Sequence, residues 1–311
     1  MFLEDSGVVS PSLETKIGRL VLRHPVMNAS GILGSGAAGF ARLAKAGVAA
    51  LVTKSFTREP RRGYSTPIAM PLPYGLLNAV GLSNPGAEAL QELLRYARSL
   101  GVPVIVSIAG SDEEEFAEVA AVAEESGASA VELNLSCPHA RGRGLELGMD
   151  PGKVRSIVSA VASTVRIPVW AKLGLSDRVL DSASAALEAG AEGLVLINTI
   201  RAMRIDVWAK KPVLGNRVGG LSGPAIHPIA VRVVYEVYGE TGADIVGVGG
   251  VEDWETAVEM VLAGARAVQV GTAIVTKGEQ VVLEILEGMR RYLELVGAKS
   301  LEELVGAAHR A

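Results

Sequence analysis

The feature that most constrains the fold is an alternation of strand and helix patterns, repeated about eight times with no linker between halves. The predicted strands are Pro25 to Ser30, Ala49 to Lys54, Pro103 to Ile108, Ala130 to Leu135, Pro168 to Leu173, Gly193 to Asn198, Asp244 to Val248 and Ala267 to Val270. Eight strand and helix units over about 250 residues are what a (β/α)8 barrel requires. We therefore predict an α/β fold, a TIM barrel, with residues 1–311 as a single domain. A doubly wound sheet is the alternative.

Two segments are too long for ordinary connections between a strand and the next helix. Ser55 to Pro85 follows the second predicted strand, and Thr199 to Gly223 follows the sixth. On a barrel, both insertions lie over the rim formed by the carboxyl ends of the strands, where barrel enzymes carry their active sites. We expect these insertions to form walls or lids of a site.

Charge and composition exclude several classes of function. The net charge is -4 and the pI is near 5.7, so there is no basic excess for nucleic acid. The single cysteine cannot form an internal disulfide, no targeting segment is evident, and no apolar run reaches the roughly 18 residues of a membrane span. We expect a cytoplasmic protein that does not contact membranes. The four histidines lack metal-ligand spacing, so no metal is predicted.

Glycines at the last two strand-to-helix junctions predict a phosphate site. The junctions read IVGVGGVEDWETA and AVQVGTAIVTKG, and they contain Gly249, Gly250 and Gly271. Exposed backbone N–H groups before a helix bind phosphate, and barrels hold phosphorylated ligands at this position. Ordinary tight turns are the alternative. A phosphorylated cofactor or substrate is expected.

A second glycine motif, GSGAAG from Gly34 to Gly39, matches the G-x-G-x-x-G of dinucleotide-binding folds. Such folds need an acidic residue near the end of their second strand, and the strand here ends in Lys54. We therefore do not assign a dinucleotide site to this motif.

Asparagines and lysines collect at strand ends and in glycine-rich loops. Four of the six asparagines do so: Asn78, Asn84, Asn134 and Asn198. Converging amides suit a planar ligand with alternating C=O and N–H groups, such as a pyrimidine ring bearing a carboxylate. Each asparagine taken singly is more often a turn former.

Two lysines, Lys54 and Lys172, end apolar strands. An inward-facing lysine at a barrel rim could bind a substrate carboxylate or stabilise negative charge on an electron-rich ring. A Schiff base is a second possible use of either amine, and simple exposure to solvent is a third.

Cys137 follows an apolar strand and is flanked by Ser136 and Pro138. A free cysteine is usually a small buried hydrophobe, but this polar, rim-side position suits a nucleophile or base. A thiol with an ordinary pKa of about 8.5 can accept a proton at mildly alkaline pH. We predict that Cys137 is catalytic.

The motifs together resemble the dihydroorotate dehydrogenase family, flavoproteins of pyrimidine biosynthesis, and within it the class 1B catalytic subunits. The resemblance covers nearly the whole chain. The matching segments, in the family's order, are NASGILGSG, VTKSFT, NAVGLSNPG, ELNLSCP, AKLG, LVLINT, GGLSGPAI, VGVGGV and VQVGTA.

The resemblance implies that Cys137 removes the C5 proton of dihydroorotate while hydride leaves C6 for FMN. It assigns FMN to Ser30, Lys54, Ser55, Ser107, Asn134, Lys172, Ile197, Gly223, Gly249, Gly250, Gly271 and Thr272. It assigns the substrate to Lys54, Asn78, Ala79, Val80, Gly81, Leu82, Asn134, Asn198 and Thr199. In the family, asparagine is usual at the positions of Ser107 and His139.

Class 1B enzymes pass electrons to NAD through a second subunit that carries FAD and a 2Fe-2S cluster. Such a cluster needs about four cysteine ligands, and this chain has one cysteine. The resemblance therefore implies a partner subunit and a homodimer within a heterotetramer. Class 1A, a homodimer that reduces fumarate, is the nearer alternative. A non-redox barrel lyase with a Schiff base on Lys172 or Lys54 is the alternative from another class.

Overall fold

Eight parallel strands form one sheet that curls into a nearly closed barrel, in a computed structural model that describes residues 10–136 and 145–310. In chain order the strands are β1 (Val26–Asn28), β2 (Leu51–Val52), β3 (Val104–Ile108), β4 (Ala130–Asn134), β5 (Val169–Leu173), β6 (Gly193–Leu196), β7 (Ile245–Val248) and β8 (Ala265–Val270). Neighbours follow chain order from β2 to β8, and β8 pairs with β1. The predicted (β/α)8 fold is confirmed.

The seam between β1 and β2 is closed by a side chain. Asn28 is fully buried, and its Oδ1 accepts from the N–H of Val52 at 2.9 Å while its Nδ2 donates to the carbonyl of Val52 at 2.8 Å. The amide of Asn28 thus takes the place of a backbone peptide in the ladder.

The helices cover the outside of the sheet or follow the rim. They are α1 (Ala37–Lys45), α2 (Leu90–Arg98), α3 (Glu113–Glu125), α4 (Leu145–Gly148), α5 (Pro151–Thr164), α6 (Val179–Glu188), α7 (His227–Thr241), α8 (Trp254–Ala263), α9 (Thr272–Lys277) and α10 (Val281–Val296). Aspartates cap three of them, since the side chains of Asp112, Asp150 and Asp253 accept from the first-turn N–H groups of α3, α5 and α8. Apolar side chains at helical spacing, such as Val154 and Ile157 on α5, pack against the outward face of the strands.

The barrel interior is apolar at the amino ends of the strands and polar at their carboxyl ends. Trp170 fills the lower interior together with Ile17 and Leu22, which come from an antiparallel hairpin that closes the floor. Because alternate strand residues point inward, the positions two residues further along β4 and β5 face the same interior. Those positions place Glu132 and Lys172 above the apolar plug.

Both long insertions contribute to one small antiparallel sheet over the rim, which we call the cap sheet. Its strands are Ile200–Ala202, Gly219–Ser222, Gly75–Asn78 and Ala69–Leu72, in that spatial order. The insertions after β2 and β6 therefore form a wall over the barrel mouth. A two-stranded hairpin, Ile205–Asp206 with Lys211–Pro212, extends from the second insertion.

Candidate active site

A cavity of about 380 Å³ lies at the carboxyl ends of the strands, between the barrel and the cap sheet. Most of the residues predicted to bind a ligand line this one cavity. They are Ser30, Lys54, Ser55, Asn78, Val80, Gly81, Leu82, Asn134, Lys172, Ile197, Asn198, Thr199, Gly223, Gly249, Gly250, Gly271 and Thr272. Residues distant in sequence thus converge on one space, as the barrel topology requires.

Three predicted or singled-out residues lie behind the cavity wall. Ser107 is fully buried on β3, and its hydroxyl bonds the Ser55 hydroxyl at 2.9 Å. Ala79 is buried next to Leu77 in the cap sheet. Asn84 holds the first insertion together through bonds to the backbone and hydroxyl of Thr57. These side chains support the wall and do not reach the cavity surface.

Lys172 belongs to a closed triangle of buried polar side chains. Its Nζ donates to Glu132 Oε1 at 3.2 Å and to Gln269 Oε1 at 3.0 Å, and Gln269 Nε2 donates to Glu132 Oε2 at 2.6 Å. The Lys172 side chain is only 5% exposed and that of Glu132 is fully buried. Sequence reasoning missed Glu132 and Gln269, although each is a polar residue inside an otherwise apolar strand at an inward-facing position.

Lys54 lies two residues after β2 and is half-buried. Burial lowers the pKa of its amine, and within residues 10–136 and 145–310 no acid pairs with it. The two lysines therefore differ, because Lys172 has a fixed counter-charge and Lys54 has none in the part of the chain that the structure describes. A lysine without a counter-charge, such as Lys54 among the described residues, is stabilised most by binding an anionic ligand.

A chain of hydrogen bonds fixes the amides between β4 and β6. Asn134 Nδ2 donates to Ser55 Oγ at 2.9 Å, and its Oδ1 accepts from the hydroxyl of Ser136 at 3.1 Å. Asn198 Nδ2 donates to Ser136 Oγ at 2.9 Å, and its Oδ1 accepts from the N–H of Thr199 at 2.7 Å. Held in this way, the amides present a fixed pattern of donors and acceptors to a ligand.

Cys137 and His139 lie outside the described residues. The preceding residue, Ser136, is buried and bonds both Asn134 and Asn198, which line the cavity. The described residues after β4 therefore end at the cavity wall with Ser136, which directly precedes Cys137 in the sequence.

The glycine turns supply free backbone donors. Gly249 and Gly250 have φ values of 137° and 70°, and a Cβ on Gly250 would lie 2.6 Å from His227 Cβ. His227 Nδ1 lies 2.8 Å from the carbonyl oxygen of Gly249 and so anchors the turn. Across the described chain, no group accepts from the N–H groups of Gly250, Gly271 or Thr272. This arrangement suits an anion such as phosphate.

Comparison with known proteins gives the family. The family model described as dihydroorotate dehydrogenase matches residues 12–293. The chain belongs to the dihydroorotate dehydrogenase family. This confirms the resemblance found in the sequence motifs.

Similar dihydroorotate dehydrogenases carry two different class names. A relative from Aeropyrum pernix, provisionally named dihydroorotate dehydrogenase A (fumarate), is 60% identical over 97% of this chain and 99% of its own length. The catalytic subunit of dihydroorotate dehydrogenase B (NAD(+)) from Thermoplasma acidophilum is 47% identical over 96% of this chain and 99% of its own. The subunit of the same name from Methanothermobacter thermautotrophicus is 45% identical over 96% of this chain and 98% of its own length.

The described residues of the chain include no helix that is both long and apolar enough to cross a bilayer. They also include no group of three or more histidine, cysteine, aspartate or glutamate side chains placed to hold a metal ion.

Proposed function

We propose that this protein oxidises (S)-dihydroorotate to orotate in de novo pyrimidine biosynthesis, with FMN as the first electron acceptor. One observation carries the proposal: a single cavity combines ordered amides with a lysine and glycine-turn N–H groups that have no partner among the described residues. The amides suit the ring of the substrate, the lysine suits its carboxylate, and the backbone donors suit a phosphate.

The residues present fit FMN. The N–H groups of Gly250, Gly271 and Thr272, which meet no acceptor in the described part of the chain, would hold its phosphate, and the cavity continues from these turns to Lys172. The remaining predicted FMN residues on this cavity are Ser30, Lys54, Ser55, Asn134, Ile197, Gly223 and Gly249. Ser107 would act from behind the wall by fixing Ser55. When bound, FMN supplies the acceptor for the hydride that leaves C6 of dihydroorotate.

The chain's own groups would hold the substrate and move a proton. Lys54 would bind the carboxylate, and the amides of Asn78, Asn134 and Asn198 would orient the ring. Thr199 and the loop residues Val80, Gly81 and Leu82 would complete the substrate site, with Ala79 packed beneath them. Cys137, which follows the anchored Ser136, would take the C5 proton as a general base.

We propose that the electrons then pass to NAD through a partner subunit carrying FAD and a 2Fe-2S cluster. Two relatives named as B (NAD(+)) catalytic subunits support this pathway. Because a 2Fe-2S cluster needs about four cysteine ligands and this chain has one cysteine, a partner would have to carry the cluster. The assembly would be a homodimer of this chain flanked by two partners. A stand-alone homodimer that reduces fumarate is the second candidate, favoured by the name of the 60% identical relative.

A Schiff-base lyase is a poorer account of the same cavity. The Nζ of Lys172 is already held by Glu132 and Gln269, so it is poorly placed to attack a carbonyl carbon and form an imine. Lys54 is the remaining candidate, and borohydride trapping of a covalent adduct would reveal an imine on it.

The proposal is tested by reducing the FMN-loaded protein with dihydroorotate without oxygen, then adding NAD, fumarate or a quinone in turn. We expect dihydroorotate to bleach the yellow flavin. Reoxidation by NAD only after a partner subunit is added would support the class 1B pathway. Reoxidation by fumarate alone would assign class 1A, and a protein that neither binds FMN nor bleaches would overturn the proposal.

A further inference from the structure

The hydrogen-bond inventory of Lys172 leaves one donor for the cavity. An ammonium carries three N–H groups. Two of them are used by Glu132 Oε1 and Gln269 Oε1, at 3.2 and 3.0 Å. No further acceptor for Nζ exists among the described residues, and the side chain lines the cavity. The third N–H is therefore available to a ligand.

Gln269 has only one orientation compatible with its neighbours. Its Oε1 accepts from the Lys172 ammonium, and its Nε2 donates to Glu132 Oε2 at 2.6 Å. A flipped amide would set NH2 against the ammonium and oxygen against the carboxylate, so two bonds would become repulsive contacts. The triangle is thus fixed on all three sides.

The charges of the triangle are separated by depth. Lys172 and Gln269 line the cavity, whereas Glu132 is fully buried beneath them and does not reach its surface. The other charged residues on the cavity surface are Lys54 and Glu252. A buried cation needs a counter-charge to offset its loss of contact with water. Glu132 provides that counter-charge from the side away from the ligand.

We infer that Glu132 and Gln269 are positioning residues that fix the side-chain nitrogen of Lys172 and direct its one remaining N–H into the cavity. The inference deepens the proposed function and rests on it, because the ligand that meets this N–H would be FMN. A flavin gains negative charge when it is reduced, so charges near the ring set its reduction potential. The buried carboxylate of Glu132 therefore lowers the potential that Lys172 alone would produce.

The triangle allows a swap experiment. In Glu132→Gln, the negative charge is lost and one pair of donors must face each other. In the double variant Glu132→Gln with Gln269→Glu, the charge returns on β8. The amide introduced on β4 can donate to the carboxylate introduced on β8, and Lys172 can again donate to both partners. The double variant thus rebuilds the triangle in mirrored form. Glu115→Gln is the matched control, since Glu115 is also buried but lies on α3.

The measurement is the FMN midpoint potential of each loaded variant, by equilibration with redox dyes. For Glu132→Gln we expect reduced FMN to gain at least about tenfold in affinity relative to oxidised FMN. For a two-electron reduction, a tenfold gain makes the midpoint potential about 30 mV more positive. The double variant should return to the wild-type potential or below it, and Glu115→Gln should match wild type.

An unchanged potential in Glu132→Gln, or a double variant as positive as the single one, would overturn the inference. If Glu132→Gln does not fold, Gln269→Glu is compared with the double variant instead. The second carboxylate in Gln269→Glu should lower the FMN midpoint potential, and the double variant should restore it. An unchanged potential in that pair also contradicts the inference. These outcomes are distinct from failure of the proposed function, in which wild type itself would bind no FMN or would not be bleached by dihydroorotate.

Discussion

The side chain of Asn28 bonds both backbone polar groups of Val52 and so joins the first barrel strand to the second. Asn28→Leu keeps the size of the side chain but leaves the buried N–H and the buried carbonyl of Val52 without a hydrogen-bond partner. We expect the free energy of unfolding to fall by about 2 to 4 kcal/mol. Asn216→Leu removes one partly buried bond to the Val218 carbonyl and should cost less than about 1 kcal/mol. Urea unfolding of both variants measures the difference, and equal losses would show that Asn28 does not close the seam.

His24 should make stability depend on pH. Its imidazole is buried below β1, and burial lowers its pKa from 6.5 to about 4. Between these values the unfolded chain binds a proton that the folded chain excludes, so folding weakens as pH falls. The contribution of neutral His24 to the free energy of unfolding is fully present above about pH 6.5. It should decline by roughly 3 kcal/mol by pH 4.

The matched variant for His24 is His24→Asn, whose Oδ1 can still accept from the N–H of Val26 as Nδ1 does. Urea midpoints measured from pH 7 to pH 4 should fall more steeply in wild type than in the variant. Parallel curves would show that other groups cause the acid sensitivity.

A substitution at Gly250 tests whether the turn formed by Gly249 and Gly250 binds the FMN phosphate. Gly250→Ala would place a methyl group 2.6 Å from His227 Cβ on a backbone with φ of 70°, so the turn must move. We expect FMN affinity of the apoprotein to fall at least tenfold. Gly242→Ala has a similar φ of 61° but open space around the new methyl group. It should cost about 1 kcal/mol of stability and leave FMN affinity unchanged. Similar FMN affinities in the two variants would argue against a phosphate site at this turn.

Lys54 should govern binding of the product carboxylate. Lys54 is half-buried and no acid pairs with it among residues 10–136 and 145–310, so an anionic ligand beside it would supply the missing counter-charge. Lys54→Met should raise the dissociation constant of orotate at least tenfold, as measured by flavin difference spectra. Lys45→Met, on the exposed side of α1, is the control and should bind orotate like wild type. An unaffected Lys54→Met would place the carboxylate elsewhere.

Much of the fold was predictable because strand and helix periodicity is local. All eight predicted strands correspond to barrel strands, and the two over-long insertions do form a wall over the rim. Strand lengths were less predictable. The second strand has two residues where Ala49 to Lys54 was predicted, since the side chain of Asn28 replaces part of its ladder. A side chain that replaces a backbone peptide in a sheet, as Asn28 does, produces no periodic pattern in the sequence from which it could be predicted.

The sequence predicted many of the residues that converge on the cavity, but not which of them line it and which lie behind its wall. Residues at strand ends converge because the barrel brings all carboxyl ends to one rim. Whether a side chain lines the cavity or supports it depends on packing, which separates Ser55 from Ser107 and Val80 from Ala79. Glu132 escaped notice because its partners come from β5 and β8, which are distant in sequence.

The central claim is tested most directly by single-turnover reduction of bound FMN by dihydroorotate, comparing wild type with Cys137→Ala at equal FMN occupancy. If Cys137 is the base in this cavity, the variant should retain FMN and lose flavin reduction by about three or more orders of magnitude. A variant that bleaches at a rate close to wild type would place the base elsewhere and contradict the account.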